Sequence, residues 1–287
     1  MDNAIEISHL TKHYDGFSLK DVSFNLPSGS IMGFIGENGA GKTTTIKAIL
    51  NLIHRDSGQI RVLGQDNLSG EKFFKAQTGV VFADQNFPGD LTTADIKRIM
   101  KNIYTDWDNA LYDAYLDRFE LPRSKKIRDF SKGMRMKLSI VTALSHRPKL
   151  LILDEATTGL DPVVRSEILD VFQAFVCDDE HAILLSSHIT SDMEKIADYI
   201  TFIHDGRILC AEAKDDLIYG HGILKCPSDQ FSVLDLGDDL IGFRRSNFGV
   251  EALIKNPEHF KRHFPDAIID TPSLEDIMLF YTKGAKK

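Results

Sequence analysis

Cysteine is scarce in this 287-residue chain. Cys177, Cys210 and Cys226 are the only three, and their spacing offers no Cys-x-x-Cys pair for metal or redox chemistry. Such usage fits a reducing compartment. Positive charge is also in short supply: 34 Lys and Arg against 42 Asp and Glu leave a net charge of −8, and residues 214–287 are acidic on their own account. Tracking nucleic-acid phosphates needs a concentrated positive field, which this balance does not provide. No apolar run approaches the roughly 18 residues of a membrane span, so the chain is not expected to cross a bilayer itself. The opening Met1, Asp2 and Asn3 lack the basic-then-apolar start of a secretion signal. Repeats and low-complexity tracts are missing as well. What remains, 43% apolar and 26% charged residues, is the makeup of a soluble cytosolic α/β protein with a sizeable core.

Apolar runs and turn signals alternate along the chain. Ile5 and Ile7 alternate with polar neighbours, residues 19–26 form a second β-like stretch, and Pro27-Ser28-Gly29 reads as a turn. Residues 31–35 have the short apolar run of a buried strand. Ile46, Ile49, Leu50 and Ile53 then recur at helical spacing and predict one amphipathic face reaching residue 53. Further strands are expected at 59–63, 79–82, 150–153 and 182–185, with mostly helical structure from about 92 to 145. Asp161-Pro162 should open a helix with proline in its first turn, and Ser191 with Glu194 predicts a capping box for the next. Alternation of strand and helix implies a parallel sheet covered on both faces. Beyond about residue 214, short strands, several glycines and a terminal helix near 274–281 suggest a small α+β appendage. The expected division is 1–213 for the main domain, with a helical subdomain at about 86–145, and 214–287 for an accessory domain.

The most specific local pattern is Gly36-Glu37-Asn38-Gly39-Ala40-Gly41-Lys42-Thr43, a complete P-loop between a predicted strand and a predicted helix. Its glycines let successive N–H groups curl toward phosphate oxygens, and the helix N-terminus adds partial positive charge. Gly36, Asn38, Gly39, Ala40, Gly41, Lys42, Thr43 and Thr44 are therefore the expected phosphate-binding residues. Lys42 should reach the β- and γ-phosphates of a nucleoside triphosphate, and the Thr43 hydroxyl should ligate Mg²⁺. Asp154 ends the strand at 150–153, where a parallel sheet places ligands, so it could face the same Mg²⁺. Glu155 would then stand ready to take a proton from an attacking water. An ordinary solvated Asp-Glu helix entry is the plainer alternative. His188 ends the strand at 182–185 in the same way and is the expected γ-phosphate partner.

Taken together, these residues resemble a family. Residues 36–44, Phe130-Ser131-Lys132-Gly133-Met134, residues 150–155, Thr158-Gly159-Leu160-Asp161 and His188 follow the order of the ATP-binding subunits of ABC transporters. They look like the Walker A, signature, Walker B, D-loop and H-switch segments of that family, over about residues 4–213. The stretch Tyr104-Thr105-Asp106-Trp107-Asp108 and the tail Pro272-Ser273-Leu274-Glu275-Asp276 are similar to those of the ATPases of bacterial ABC-2-type exporters. Bacitracin, lantibiotic and phenol-soluble-modulin peptide exporters are among these.

The resemblance implies an α/β P-loop, RecA-like ATPase core with an N-terminal antiparallel β region, an inserted helical subdomain and the small C-terminal appendage. It also implies a homodimer facing head to tail, with ATP and Mg²⁺ held between one copy's P-loop and the other copy's signature and Asp161. Met134, Leu138 and Val141 share one helical face, so a helix should begin near Ser131. Ser131 then sits at a helix N-terminus and Gly133 allows close backbone approach, which makes a second phosphate-binding device that is equally compatible with a simple N-cap. Tyr14 occupies the place of the family's aromatic under adenine, though it could also pack a strand end. Where the family has a glutamine after the strand at 79–82, this chain has Ala83, then Asp84 and Gln85. Either of the last two is expected near Mg²⁺ or the attacking water.

The implied role is an ATP-hydrolysing subunit on the cytoplasmic side of a bacterial membrane. It would be attached through a separate ABC-2-type permease and would export peptides or related amphiphiles. Phe87 and Trp107 could receive a helix of that permease or be buried in the chain's own core. An importer ATPase is an alternative that only the Trp107 and tail segments oppose. A soluble non-transport ABC protein is another, although such proteins usually carry two ATPase modules or a long coiled coil.

Overall fold

A computed structural model of the chain describes residues 2–83, 87–234, 236–246 and 249–285. The N-terminal third supplies strands β1 (Asn3–Tyr14), β2 (Phe17–Pro27) and β3 (Ile31–Ile35), helix α1 (Lys42–Ile49), strands β4 (Ser57–Val62) and β5 (Gln65–Asp66), helix α2 (Glu71–Ala76) and strand β6 (Thr78–Phe82). Helices α3 (Thr93–Ile103), α4 (Asn109–Arg118) and α5 (Lys132–Leu144) follow as an insertion before β7 (Leu150–Asp154). Next come α6 (Pro162–Phe175), β8 (Ala182–Ser187), α7 (Thr190–Ile196), β9 (Tyr199–His204) and β10 (Arg207–Ala213). The remainder is α8 (Lys214–Tyr219), β11 (His221–Cys226), α9 (Ser228–Val233), β12 (Leu240–Ser246), β13 (Gly249–Lys255), α10 (Pro257–His263), β14 (Ile268–Asp270) and α11 (Leu274–Lys283).

The central sheet has the order β10-β9-β3-β8-β7-β6, parallel throughout except for the β9–β10 hairpin. β3, β7 and β8 are buried along their whole length, which is why they are continuous apolar runs in the sequence. Successive side chains face opposite layers. Leu151, Leu153, Ile183 and Leu185 pack under the helical layer, while Leu150, Ile152, Ala182 and Leu184 pack toward α1 and the N-terminal antiparallel sheet β2-β1-β4-β5.

A third sheet, β12-β13-β11-β14, is antiparallel and has its own small core around Leu224, Phe231 and Val250. Its other face is not independent. Ile223 and Leu253 join Leu217, Leu274, Ile277 and Phe280 in the same apolar cluster as the helical layer. α11 therefore lies against α7 of the main body.

Two local expectations need correction. The helix after the P-loop stops at Ile49, because Asn51 takes a left-handed φ of 53° and turns the chain. Ile53 packs against the N-terminal core from outside the helix. Ser191 and Glu194 do not form a capping box: α7 starts at Thr190 after Ile189, which has no side-chain cap, so Ser191 already lies inside the helix. The Ser187 hydroxyl accepts the Ile189 N–H at 2.9 Å, and Glu194 instead accepts the Leu274 N–H at 2.8 Å, at the start of α11. Asp161 does cap α6, accepting from the Val164 N–H, with Pro162 as its first residue.

The β9–β10 hairpin turns through Asp205 (φ 45°) and Gly206 (φ 73°), the Asp-Gly pattern of a type I′ turn. Gly206 donates its N–H to the Ala40 carbonyl and accepts from Lys20, so the turn pins the P-loop to β2. A Cβ at Gly206 would lie 1.9 Å from the Ser18 carbonyl oxygen. Gly206→Ala is expected to cost about 2 kcal/mol or more, read as a lower melting temperature by calorimetry. An unchanged melting temperature would contradict the close approach.

Candidate functional site

β3 delivers the chain into the P-loop and α1 carries it away, so residues 36–41 form a turn at the carboxyl end of a buried strand. Two positions in it require glycine. A Cβ at Gly36 would sit 2.4 Å from the Ile203 carbonyl, and Gly41 has φ 116° with Leu19 and Phe17 packed beside it. Lys42 is 6% exposed and its ammonium has a definite set of acceptors. It donates to the Gly36 carbonyl at 2.7 Å and the Glu37 carbonyl at 3.3 Å, and lies 3.2 Å from a Glu155 carboxylate oxygen. A cleft of about 500 Å³ opens here, lined by Gly16, Phe17, Asn38, Gly39, Gly41, Lys42, Thr43, Thr44 and Glu155.

The ends of β7 and β8 close the site. The Thr43 hydroxyl donates to Asp154 at 2.7 Å, and the Ser186 hydroxyl donates to the other Asp154 oxygen. Hydroxyl and carboxylate oxygens are the hard donors that suit Mg²⁺. Among the described residues no three His, Cys, Asp or Glu side chains converge on one metal position.

Glu155 takes a left-handed φ of 55° just beyond β7, held by its N–H to the Ser186 carbonyl. This turn points its carboxylate at three partners: Lys42, the Thr158 hydroxyl and His188 Nδ1 at 2.8 Å. With a carboxylate as acceptor, Nδ1 carries the proton. Burial pushes the Glu155 carboxyl up, but the Thr158 hydroxyl, the Lys42 ammonium and His188 together outweigh it and hold the group below the usual glutamate range. The carboxylate is therefore ionised at neutral pH and can accept a proton.

Other expected site residues lie elsewhere. Ser131 caps α5 by accepting the Met134 N–H at 3.2 Å, and with Gly133 and Asp161 it stands outside the lining of the Lys42 cleft. A Cβ at Gly133 would meet Val164 at 3.5 Å, and one at Gly159 would meet the Lys132 ammonium at 2.6 Å. The signature segment thus adjoins the 158–161 loop of its own chain. Tyr14 is 45% exposed with the Lys12 ammonium 5.4 Å above its ring, and Phe17 lines the cleft in its place. Trp107 is buried against Tyr112, so it belongs to the core of the inserted helices. Asp84 and Gln85 fall outside the described residues.

Several members of the constellation escape a reading along the sequence. Phe17 and Ser186 belong to no motif, and Thr158, the first residue of the D-loop-like segment, has no sequence mark as a partner of Glu155. Lys283 of α11 reaches back to the P-loop, with its ammonium 3.1 Å from the Glu37 carboxylate, and no local signal announces that contact.

The profile of the ABC transporter family matches residues 19–158. The ABC transporter ATP-binding protein YtrB of Bacillus subtilis (strain 168) is 34% identical over 216 residues, covering 74% of this chain and 73% of that protein. The chain belongs to the ABC transporter family. The bacitracin transport ATP-binding protein BcrA of Bacillus licheniformis is 35% identical over 212 residues, 73% of this chain and 69% of its own length. A solved ATP-binding subunit of an ABC transporter superposes with a TM-score of 0.68 at 30% identity, covering 75% of this chain and 92% of that one. The expected α/β P-loop core with its antiparallel N-terminal region and inserted helices is the architecture found, and this ABC chain is an ATP-binding ATPase.

Proposed function

We propose that this ABC ATPase powers a separate ABC-2-type permease at the cytoplasmic face of a bacterial membrane, exporting antimicrobial or toxin-like peptides or related amphiphiles. The observation that carries the reading is the meeting of three strand ends at one carboxylate: Glu155 touches both Lys42 of the P-loop and His188 beyond β8. In this reading Lys42 and the loop N–H groups grip the triphosphate, and Thr43 with Asp154 would hold Mg²⁺. Bound there, Mg²⁺ would offset charge on the phosphate oxygens. Glu155 accepts the proton of the attacking water and His188 steadies the γ-phosphate. Phe17 or Tyr14 offers the base an aromatic face. Asp84 and Gln85 remain the candidates for the segment that senses Mg²⁺ and the permease.

Ser131, Gly133 and Asp161 stand on a surface apart from the cleft, which suits presentation to the nucleotide of a second copy. Two copies would then close on two ATP molecules, and closure does work only if ATP binds the closed dimer better than the open one. Residues 1–213 act as the nucleotide-binding domain and 214–287 as an accessory element. The similarity to a bacitracin transport ATP-binding protein supports the peptide-export reading.

The test joins the chain to a membrane subunit of about six apolar spans encoded beside it. Inside-out vesicles holding the pair should take up an amphiphilic peptide only with ATP, and ATP-independent or absent uptake would remove the export reading. Asp154→Asn is expected to lower hydrolysis about 100-fold, while binding of a fluorescent ATP analogue without Mg²⁺ stays at the wild-type level.

A further inference from the structure

Two of the buried polar atoms without a protein partner belong to one pair of side chains, Arg165 and Asp192. Asp192 lies on α7, four residues after His188, and is 1% exposed. Arg165 lies in the first turns of α6, four residues after Asp161. One guanidinium nitrogen of Arg165 donates to the Leu160 carbonyl at 3.2 Å, and another stands 3.9 Å from an Asp192 carboxylate oxygen. Asp192 Oδ2 and Arg165 Nε have no protein partner. A buried carboxylate this sparsely paired is costly to keep, and its only cation within 4 Å among the described residues is Arg165. The pair therefore does more than fill space. It bridges the loop that follows Glu155 to the helix that follows His188.

We infer that Arg165 and Asp192 are positioning residues for hydrolysis, a strut that sets the distance between His188 and Glu155. Neither touches the cleft. The strut works through backbone: Arg165 fixes the 158–161 loop by the Leu160 carbonyl, and that loop supplies the Thr158 hydroxyl that binds Glu155. At its other end Asp192 fixes the first turns of α7, so the 2.8 Å contact of His188 with Glu155 is held from both sides. The inference rests on the roles proposed above for Glu155 and His188. The planar fork of arginine turns one nitrogen to the Leu160 carbonyl and another toward Asp192 in a single rigid plane.

The experiment compares Asp192→Asn, Asp192→Glu, Arg165→Ala and the Asp192→Asn/Arg165→Ala double variant with the wild-type chain. Asp192→Asn keeps the side chain's size and is expected to lower kcat about tenfold or more, with KM for Mg-ATP within about twofold. Asp192→Glu keeps the charge and should recover most of that loss. Arg165→Ala should fall by a similar factor, and the double variant should be no slower than the slower single. The imidazole NMR signals of His188, recorded without nucleotide, should move in Asp192→Asn while the melting temperature shows a folded protein. A folded Asp192→Asn with wild-type kcat, or with unmoved His188 signals, overturns the strut. So does a loss of kcat and nucleotide affinity together. A wild-type chain without ATPase activity would instead sink the proposed function, and the nucleotide-free His188 signals would still judge the strut.

Discussion

Glu155→Gln should stop turnover while leaving nucleotide binding intact. The substitution keeps size and shape but removes the charge that Lys42 and His188 meet in this site. A positioned base contributes on the order of 10²–10⁴ in rate, so steady-state phosphate release should fall by roughly a thousandfold. Affinity should hold or improve, because the Lys42 ammonium no longer has a carboxylate competing with phosphate oxygens. With the chemistry blocked, Mg-ATP stays bound and the closed pair persists. Gel filtration of the variant should then show a dimer with Mg-ATP and a monomer without it. A monomer in both samples, or residual hydrolysis close to wild type, would count against the head-to-tail arrangement and the base assignment respectively.

His188→Ala is expected to lose most of the steady-state hydrolysis too, by about 10³-fold, for a related but distinct reason. The ring is 42% exposed, so little packing is lost and the fold should survive. What disappears is a hydrogen bond to Glu155 at 2.8 Å and the donor proposed for the γ-phosphate. KM for ATP should stay within about twofold, since the P-loop is untouched, and a coupled assay of ADP release reads both constants. Unchanged turnover would reject His188 as a γ-phosphate contact.

Much of this constellation was legible along the chain, for a physical reason. A buried parallel strand is a compact apolar run, and the residues just past its carboxyl end are where ligands bind. Lys42, Asp154, Glu155 and His188 each stand at such an end, so local pattern located them before any packing was known. The P-loop needs glycine for close approach at Gly36, and that too is written in the spacing. What stayed hidden depends on contacts between distant segments. Ser191 and Glu194 had the right spacing for a cap, yet α11, eighty residues on, claims the Glu194 carboxylate. Helical spacing runs on to Ile53 past the true end, which is set by Asn51, since asparagine is, after glycine, the residue that takes a left-handed helix stop most readily. Phe17 and Tyr14 flank the same hairpin turn, and only the folded loop shows that Phe17 lines the cleft. Trp107 could be read as a docking residue or a core residue until its neighbours were known.

The last helix is anchored at both ends of the nucleotide machinery, through Leu274 to Glu194 and through Lys283 to Glu37. Chimeras that graft another relative's tail onto this cassette therefore inherit a compatibility rule. The donor segment must bring a cation for Glu37, a free amide for Glu194, and side chains that fit where Ile277 and Phe280 now sit.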